Sequence, residues 1–255
     1  MLKVSFLGTG TSSGVPMIAC ECEVCISADD RDKRLRTSVL IESDTTTVVV
    51  DTGPDFRYQM LRQRVKKLDA IVFTHEHKDH VAGLDDVRAF NYSMKASMNI
   101  YATEQVQTAL KREFYYAFES EKYPGVPQLD LQTITLVPFM VGDLRFEPIQ
   151  LLHYKMSVFG YRVGDFGYIT DANQITETEK MKLNGVKVLV VNALREATHI
   201  SHFSLSEALE IIKYIAPEKA YLTHISHQMP AHEQLLKLLP PNVYPAHDGL
   251  VIEIQ

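Results

Sequence analysis

The sequence predicts an α/β domain of layered, mixed sheets, and three observations predict it. Short β-rich runs alternate with helical patterns from one end to the other. Some neighbouring runs meet across tight polar or Gly-containing turns, as antiparallel hairpins do, while others are separated by a helical pattern, as strand–helix units are. No repeat, low-complexity run or linker divides the 255 residues, so one domain over 1–255 is expected.

"LKVSFLG" reads as the first strand. "TSVLIES" and "TTVVVDTG" read as a hairpin around Ser43 and Asp44. "DFRYQMLRQRVKKL" has apolar residues at helical spacing, with start signals in Thr52 to Asp55. "DAIVFT" is an apolar run of buried-strand length. "TITLVP" and "LRFEPIQLL" read as strands, and "SVFGYRVGDFGYIT" as a hairpin around Gly164 and Asp165. "VKVLVVNAL" reads as a buried strand, "SLSEALEIIKYIA" as a helix capped by Ser204 or Ser206, "KAYLTHI" as a strand, "HEQLLKLL" as a short helix and "LVIEI" as a last strand. Residues 86–128 are less regular and carry Phe90, Tyr92, Tyr101, Phe114, Tyr115, Tyr116, Phe118 and Tyr123. Helical core packing is the plain reading of these aromatics. An aromatic wall or lid beside a site, or the surface of a homodimer, is the alternative.

Composition narrows the function. The net charge is −6 with pI near 5.9, which argues against a large nucleic-acid surface. It does not argue against a small anionic ligand, because bound cations reverse the local field. No apolar run approaches the roughly 18 residues of a membrane span. The first apolar run stops at Gly8, too short for a secretory signal, so a cytoplasmic protein is expected. Cys20, Cys22 and Cys25 are the only cysteines, and an odd, clustered count suits metal ligation better than a disulfide framework.

One pattern recurs: an apolar strand stops and a metal-ligating residue type follows. "AIVFT" runs into "HEHKDH", "IQLL" into His153, "GYIT" into Asp171 and "KAYLT" into His224. Loops at strand ends are held by the sheet while their side chains stay free. In His75-Glu76-His77-Lys78-Asp79-His80, the period of two points His75 and His77 the same way, and Asp79 and His80 lie past the bend. Imidazole and carboxylate together suit Zn²⁺, Mn²⁺ or Fe²⁺. A solvated loop with surface histidines is the alternative, with Glu76 and Lys78 turned to solvent in either case.

"THEHKDHVAGLDDVR" resembles the signature of the metallo-β-lactamase superfamily, and "FLGTGTSSGVP", "VVVDTGPDFR", "LLHY", "YITDA" and "LTHISH" extend the resemblance along the chain. The Cys-x-Cys-x₂-Cys run with the late "THISH" is most similar to the phosphoribosyl cyclic phosphate phosphodiesterases of that superfamily. The resemblance implies a four-layer αβ/βα sandwich with two mixed β-sheets. It implies two divalent active-site ions, Zn²⁺ or Mn²⁺: one on His75, His77 and His153, the other on Asp79, His80 and His224, with Asp171 shared. Asp51 would orient ligand histidines. Cys20, Cys22, Cys25 and His227 would hold one structural Zn²⁺, so that His224 and His227, three apart, serve two different sites.

The implied activity is hydrolysis of a small anionic phosphodiester, cyclic or linear, by a hydroxide shared between the ions. Asp79 and His202 are expected in the catalytic set, His202 at the phosphate or leaving group before a helix N-terminus; His199 is the weaker candidate. His232 and His247 are read as structural. A tRNA 3′-processing endonuclease, a thioester or lactam hydrolase, a diiron redox protein and a non-catalytic binding protein of quinone-cofactor biosynthesis are the alternatives. The negative charge speaks against the first. The intact H-x-H-x-D-H run speaks against the last two. No membrane and no large nucleic acid is expected as partner.

Overall fold

The computed structural model describes residues 1–255. Two mixed sheets face each other. The first runs, edge to edge, Val251–Ile254, Leu2–Gly8, Ser38–Glu42, Thr47–Val50, Ala70–Val72, Met98–Ala102 and Leu129–Thr133. The second runs Gln174–Ile175, Leu144–His153, Met156–Val163, Phe166–Ile169, Val188–Asn192, Lys219–Thr223 and Val243–Pro245, with Phe139–Val141 also pairing Leu144–His153. Each sheet is antiparallel at its start and parallel at its end. The change comes after Thr47–Val50 in one and after Phe166–Ile169 in the other.

Side-chain alternation builds the layers. Val48 and Val50, Ala70 and Val72, Val188 and Val190 point between the sheets, into a core that also holds Phe146, Tyr161, Phe166 and Tyr168. Val49, Ile71 and Phe73 point outward against the helices Phe56–Gln63 and Glu104–Glu113. Leu189, Val191 and Leu222 point outward against the helix Leu205–Ile215. The result is helix, sheet, sheet, helix: the expected four-layer sandwich.

Several boundaries differ from the sequence reading. The helix expected over 55–68 ends at Gln63, because Arg64 turns left-handed at φ 53°. Asp55 stands at its start but gives its carboxylate to Arg36 (N–H, 2.9 Å) instead of capping. The strand expected at "TITLVP" lies earlier, at Leu129–Thr133, on a sheet edge where half-exposed polar residues hide it. Residues 86–128 contain the helices Arg88–Met94 and Glu104–Glu113 and the strand Met98–Ala102. Phe90 and Phe114 are core, as the plain reading holds, whereas Tyr92, Tyr115 and Tyr123 are exposed. Ser204, of the two candidates, caps its helix and completes a capping box with Glu207.

Candidate metal centre

The centre is assembled where strands stop. Asp51 follows Thr47–Val50, Asp171 comes two residues after Phe166–Ile169, His224 follows Lys219–Thr223, and His153 ends its own strand. Asp51, Asp171 and His224 are left-handed, with φ of 65°, 53° and 54°. For residues other than glycine this costs on the order of 1–3 kcal/mol each and turns the chain sharply off the strand axis. Gly53 lets the Asp51 loop lie against the short helix Lys78–Val81: a Cβ at Gly53 would collide with the carbonyl oxygen of Asp79.

Two groups of side chains converge. The ligand atoms of His75, His77 and His153 lie within 4.8 Å of one another, and so do those of Asp79, His80, Asp171 and His224. Asp171 stands between the groups. Its Oδ2 is 3.3 Å from His80 Nε2 and 3.8 Å from His75 Nε2, and its Oδ1 is 2.9 Å from His224 Nδ1. His75, His80, Asp171 and His224 are buried, while His77 is exposed at the rim.

A chain of hydrogen bonds sets which nitrogen each imidazole offers. Asp51 Oδ1 accepts from the Thr74 N–H (2.8 Å), and Oδ2 accepts from the Thr74 hydroxyl (2.8 Å) and from His80 Nδ1 (2.7 Å). The Thr74 hydroxyl has given its proton to Asp51, so it accepts from His75 Nδ1 at 2.9 Å. His153 Nδ1 donates to the Ser201 carbonyl at 2.7 Å. His75 and His153 therefore turn an unprotonated Nε2 inward, while His80 turns its Nε2 toward Asp79 and Asp171, 3.3 Å from each. His224 is reversed: Nε2 meets the Thr11 hydroxyl at 3.2 Å and Nδ1 faces Asp171.

These inward nitrogens test the fit of a cation. His75 Nε2, His80 Nε2 and His224 Nδ1 are buried and make no hydrogen bond, although Asp171 is close by. Buried polar atoms of a folded protein are nearly always satisfied. Several orphans turned toward the Asp171 carboxylate from two groups fit divalent ions bound by nitrogen and oxygen. The electrostatics agree. Burial, aided by neighbouring His80, pushes His75 well below its ordinary value, and burial lowers His153 too, so both rings are neutral donors. Burial opposes charge on His80, yet Asp171, Asp79 and Asp51 outweigh it and lift its pKa. The pocket favours positive charge at that spot.

A second cluster joins His227 to the free thiols of Cys20, Cys22 and Cys25, with ligand atoms within 4.8 Å of one another. His227 Nδ1 is 3.2 Å from Cys20 Sγ and 3.4 Å from Cys22 Sγ. His224 and His227 thus face different clusters. His202 is largely buried, stacked 4.8 Å from His224 and tilted 4.6 Å from His153, with an unpartnered Nδ1. Burial first, then nearby His224, lowers its pKa to about 3. His199 is 5.3 Å further out, with Ser201 its hydrogen-bond neighbour. His232 packs on His247 and takes Asp32 as its backbone partner, as structural residues do. Lys78 is exposed as expected. Glu76 is not: it is half-buried and accepts from Gln105 at 2.6 Å.

Thr74, Thr11 and Ser201 were not singled out in the sequence. Thr11 lies 213 residues from His224 and the Ser201 carbonyl 48 residues from His153, so no local pattern marked either. Asp51→Asn keeps the left-handed backbone but presents an amide to donors that need an acceptor. It is expected to lower activity or metal affinity about 10–100-fold, read by steady-state kinetics and metal titration.

A family profile described as Beta-lactamase superfamily domain matches residues 46–225. An octanoyltransferase of Porphyromonas gingivalis is 38% identical over 252 residues, covering 98% of this chain and 51% of that protein. The chain thus spans about half the length of that relative. Among solved structures, a diphosphatase of the PhnP family superimposes with TM-score 0.93 at 38% identity, covering 98% of this chain and 96% of that one. Zn²⁺-bound PqqB from Methylobacterium extorquens superimposes with TM-score 0.80 at 18% identity, over 99% of this chain and 100% of that one, a likeness of fold.

Proposed function

The chain belongs to the β-lactamase superfamily, PhnP-like, with the His/Asp cluster of a metal-dependent hydrolase, and from that premise we propose that it hydrolyses small cyclic or linear phosphodiesters. Phosphoribosyl 1,2-cyclic phosphate and 2′,3′-cyclic nucleotides are the substrate types in view. The observation that carries the reading is Asp171, a buried carboxylate between two groups of inward-facing imidazoles. His75, His77 and His153 would hold one divalent ion, Asp79, His80 and His224 the other, with Asp171 shared. Such a pair supplies hydroxide near neutral pH and neutralises the oxygens of a phosphate. Zn²⁺ and Mn²⁺ suit this donor set, and tetrahedral Zn²⁺ suits the cysteine cluster.

The chain's own groups do the rest. Asp51 and Thr74 hold His80 and His75 in one tautomer and one orientation. The Ser201 carbonyl does the same for His153. His202, neutral and with a free ring nitrogen between His153 and His224, is placed to hydrogen-bond a phosphate oxygen or the leaving oxygen. The exposed rim at His77 admits a small substrate. A net charge of −6 disfavours a long polyanion. Free thiols suit a reducing compartment, and the cytoplasm is the proposed location; no helix is long and apolar enough to cross a membrane. A homodimer built on the exposed tyrosines of 92–123 belongs to the same proposal.

The test is metal content with turnover of bis-p-nitrophenyl phosphate, then a screen of cyclic phosphates, 2′,3′-cyclic nucleotides and linear diesters. Metal-dependent turnover that Asp79→Ala abolishes is expected. Metal on the cysteines alone, without turnover, would instead support a binding protein. Equal activity in wild type and Asp79→Ala would refute the assignment of the site.

A further inference from the structure

Backbone pairing between the strands Phe166–Ile169 and Val188–Asn192 stops at Ile169 and Val191. Two residues beyond Ile169 the chain turns left-handed at Asp171, and here Asn192 continues the pairing with its side chain. The Ala172 N–H donates to Asn192 Oδ1 at 3.1 Å, and Asn192 Nδ2 donates to the Ala172 carbonyl at 2.9 Å. A carboxamide carries a donor and an acceptor, as a peptide group does, so it stands in for a strand partner. Asn192 is fully buried, and no other asparagine of the chain is buried.

The clamp reaches further than Ala172. The same carbonyl accepts from the N–H of Phe203, directly after His202, at 2.7 Å. Ala193, directly after Asn192, donates its N–H at 2.9 Å to the carbonyl of Thr223, directly before His224. Asn173 Oδ1 accepts from the Tyr154 N–H at 2.8 Å, and its Nδ2 donates to the Ile200 carbonyl at 3.0 Å. The Thr170 hydroxyl donates to Asp171 Oδ1 at 2.6 Å. The loop is thus fastened on both sides of the carboxylate, and Asn192 is the side chain that fastens it to the neighbouring strand. A left-handed aspartate is strained and persists only where its surroundings over-determine it.

Resting on the two-ion reading of the site, we propose that Asn192 is a positioning residue: through Ala172 it holds Asp171 in the left-handed conformation that turns one carboxylate oxygen to His224 and the other to His75 and His80. Without the clamp the Asp171 backbone is free to relax towards an ordinary φ, which swings the carboxylate away from its place between the two groups of imidazoles. Asn192→Asp keeps an acceptor for the Ala172 N–H but sets an oxygen against the Ala172 carbonyl, where a donor stood. Asn192→Ala removes both partners. Loss of a group that orients a ligand typically weakens metal binding about 10–100-fold.

The experiment follows Mn²⁺ binding by electron paramagnetic resonance, with circular dichroism and the melting temperature measured on the same samples. Wild type is expected to bind a spin-coupled pair of Mn²⁺ ions. Asn192→Asp and Asn192→Ala should weaken binding of the second ion at least about tenfold, so that the signal of isolated Mn²⁺ replaces that of the pair. Asn91→Ala removes the same kind of clamp from the Gln128 backbone at the surface (2.9 and 3.0 Å). It should leave Mn²⁺ binding within about twofold of wild type. Wild-type Mn²⁺ binding in Asn192→Asp overturns the proposal, whatever happens to the melting temperature. So does loss of the native circular dichroism spectrum in Asn192→Asp, which would make the residue a support of the whole fold, and so does an equal loss of Mn²⁺ in Asn91→Ala. A wild type that binds no coupled pair refutes the two-ion reading itself, before any variant is compared, and this proposal with it.

Discussion

Asp171→Asn is expected to lower kcat/KM at least about a thousandfold. That corresponds to about 4 kcal/mol of lost transition-state stabilisation, the size of a metal's electrostatic contribution. The substitution is close to isosteric, and asparagine tolerates the left-handed conformation that Asp171 adopts at φ 53°. The backbone therefore stays in place and the loss reports on charge. In wild type one carboxylate faces His75, His80 and His224 together. An amide carries no charge, and its NH₂ has no lone pair to offer a cation where the lost oxygen had one. Metal content measured on the same sample should fall with activity. A fully active Asp171→Asn enzyme would show that Asp171 is not shared between two ions.

Cys25→Ser is expected to release one metal equivalent and lower the melting temperature by roughly 10 °C. Structural zinc contributes on the order of 10–16 kcal/mol of apparent binding energy in small peptides. Losing even about 4 kcal/mol of it would shift a domain of this size by roughly 8–16 °C. The segment between Gly8 and Ser38 has only a four-residue helix and a 3₁₀ turn of its own, so it depends on such ties. Its other links to the C-terminal part include Arg31 with Glu233 at 2.6 Å, the Asp32 carboxylate with the His232 N–H at 2.8 Å, the Leu35 N–H with the Asp248 carboxylate at 2.9 Å and the Thr11 hydroxyl with His224 at 3.2 Å. His227 is three residues from His224, so loosening this cluster also loosens an active-site side chain. Activity should fall as well, though less than in Asp171→Asn. Thiols that react freely in the native protein, with an unchanged melting temperature, would exclude a structural ion.

The parts legible in the sequence were those written locally. A buried strand announces itself by apolar residues and its end by the first polar ligand type, so the convergence of His75, His153, Asp171 and His224 was readable as four strand endings. The pairing of Cys20, Cys22 and Cys25 with His227 came from resemblance, since nothing local links residues 205 apart. Edge strands and helix ends were not legible. Leu129–Thr133 is half-exposed and lacks an apolar run, and Arg64 ends its helix without a glycine to signal it. Thr74 was silent for another reason. Its role depends on an Asp51 carboxylate 23 residues earlier taking its proton, a long-range hydrogen bond that leaves no local pattern. The same holds for Asn173, whose amide spans Tyr154 and Ile200.

Anomalous diffraction from crystals grown with zinc or manganese tests the whole account most directly. Two peaks roughly 3.5–4 Å apart on either side of the Asp171 carboxylate are expected, with a third, zinc-specific peak among Cys20, Cys22, Cys25 and His227. A map with no peak within coordination distance of Asp171, His75 and His224 would contradict it.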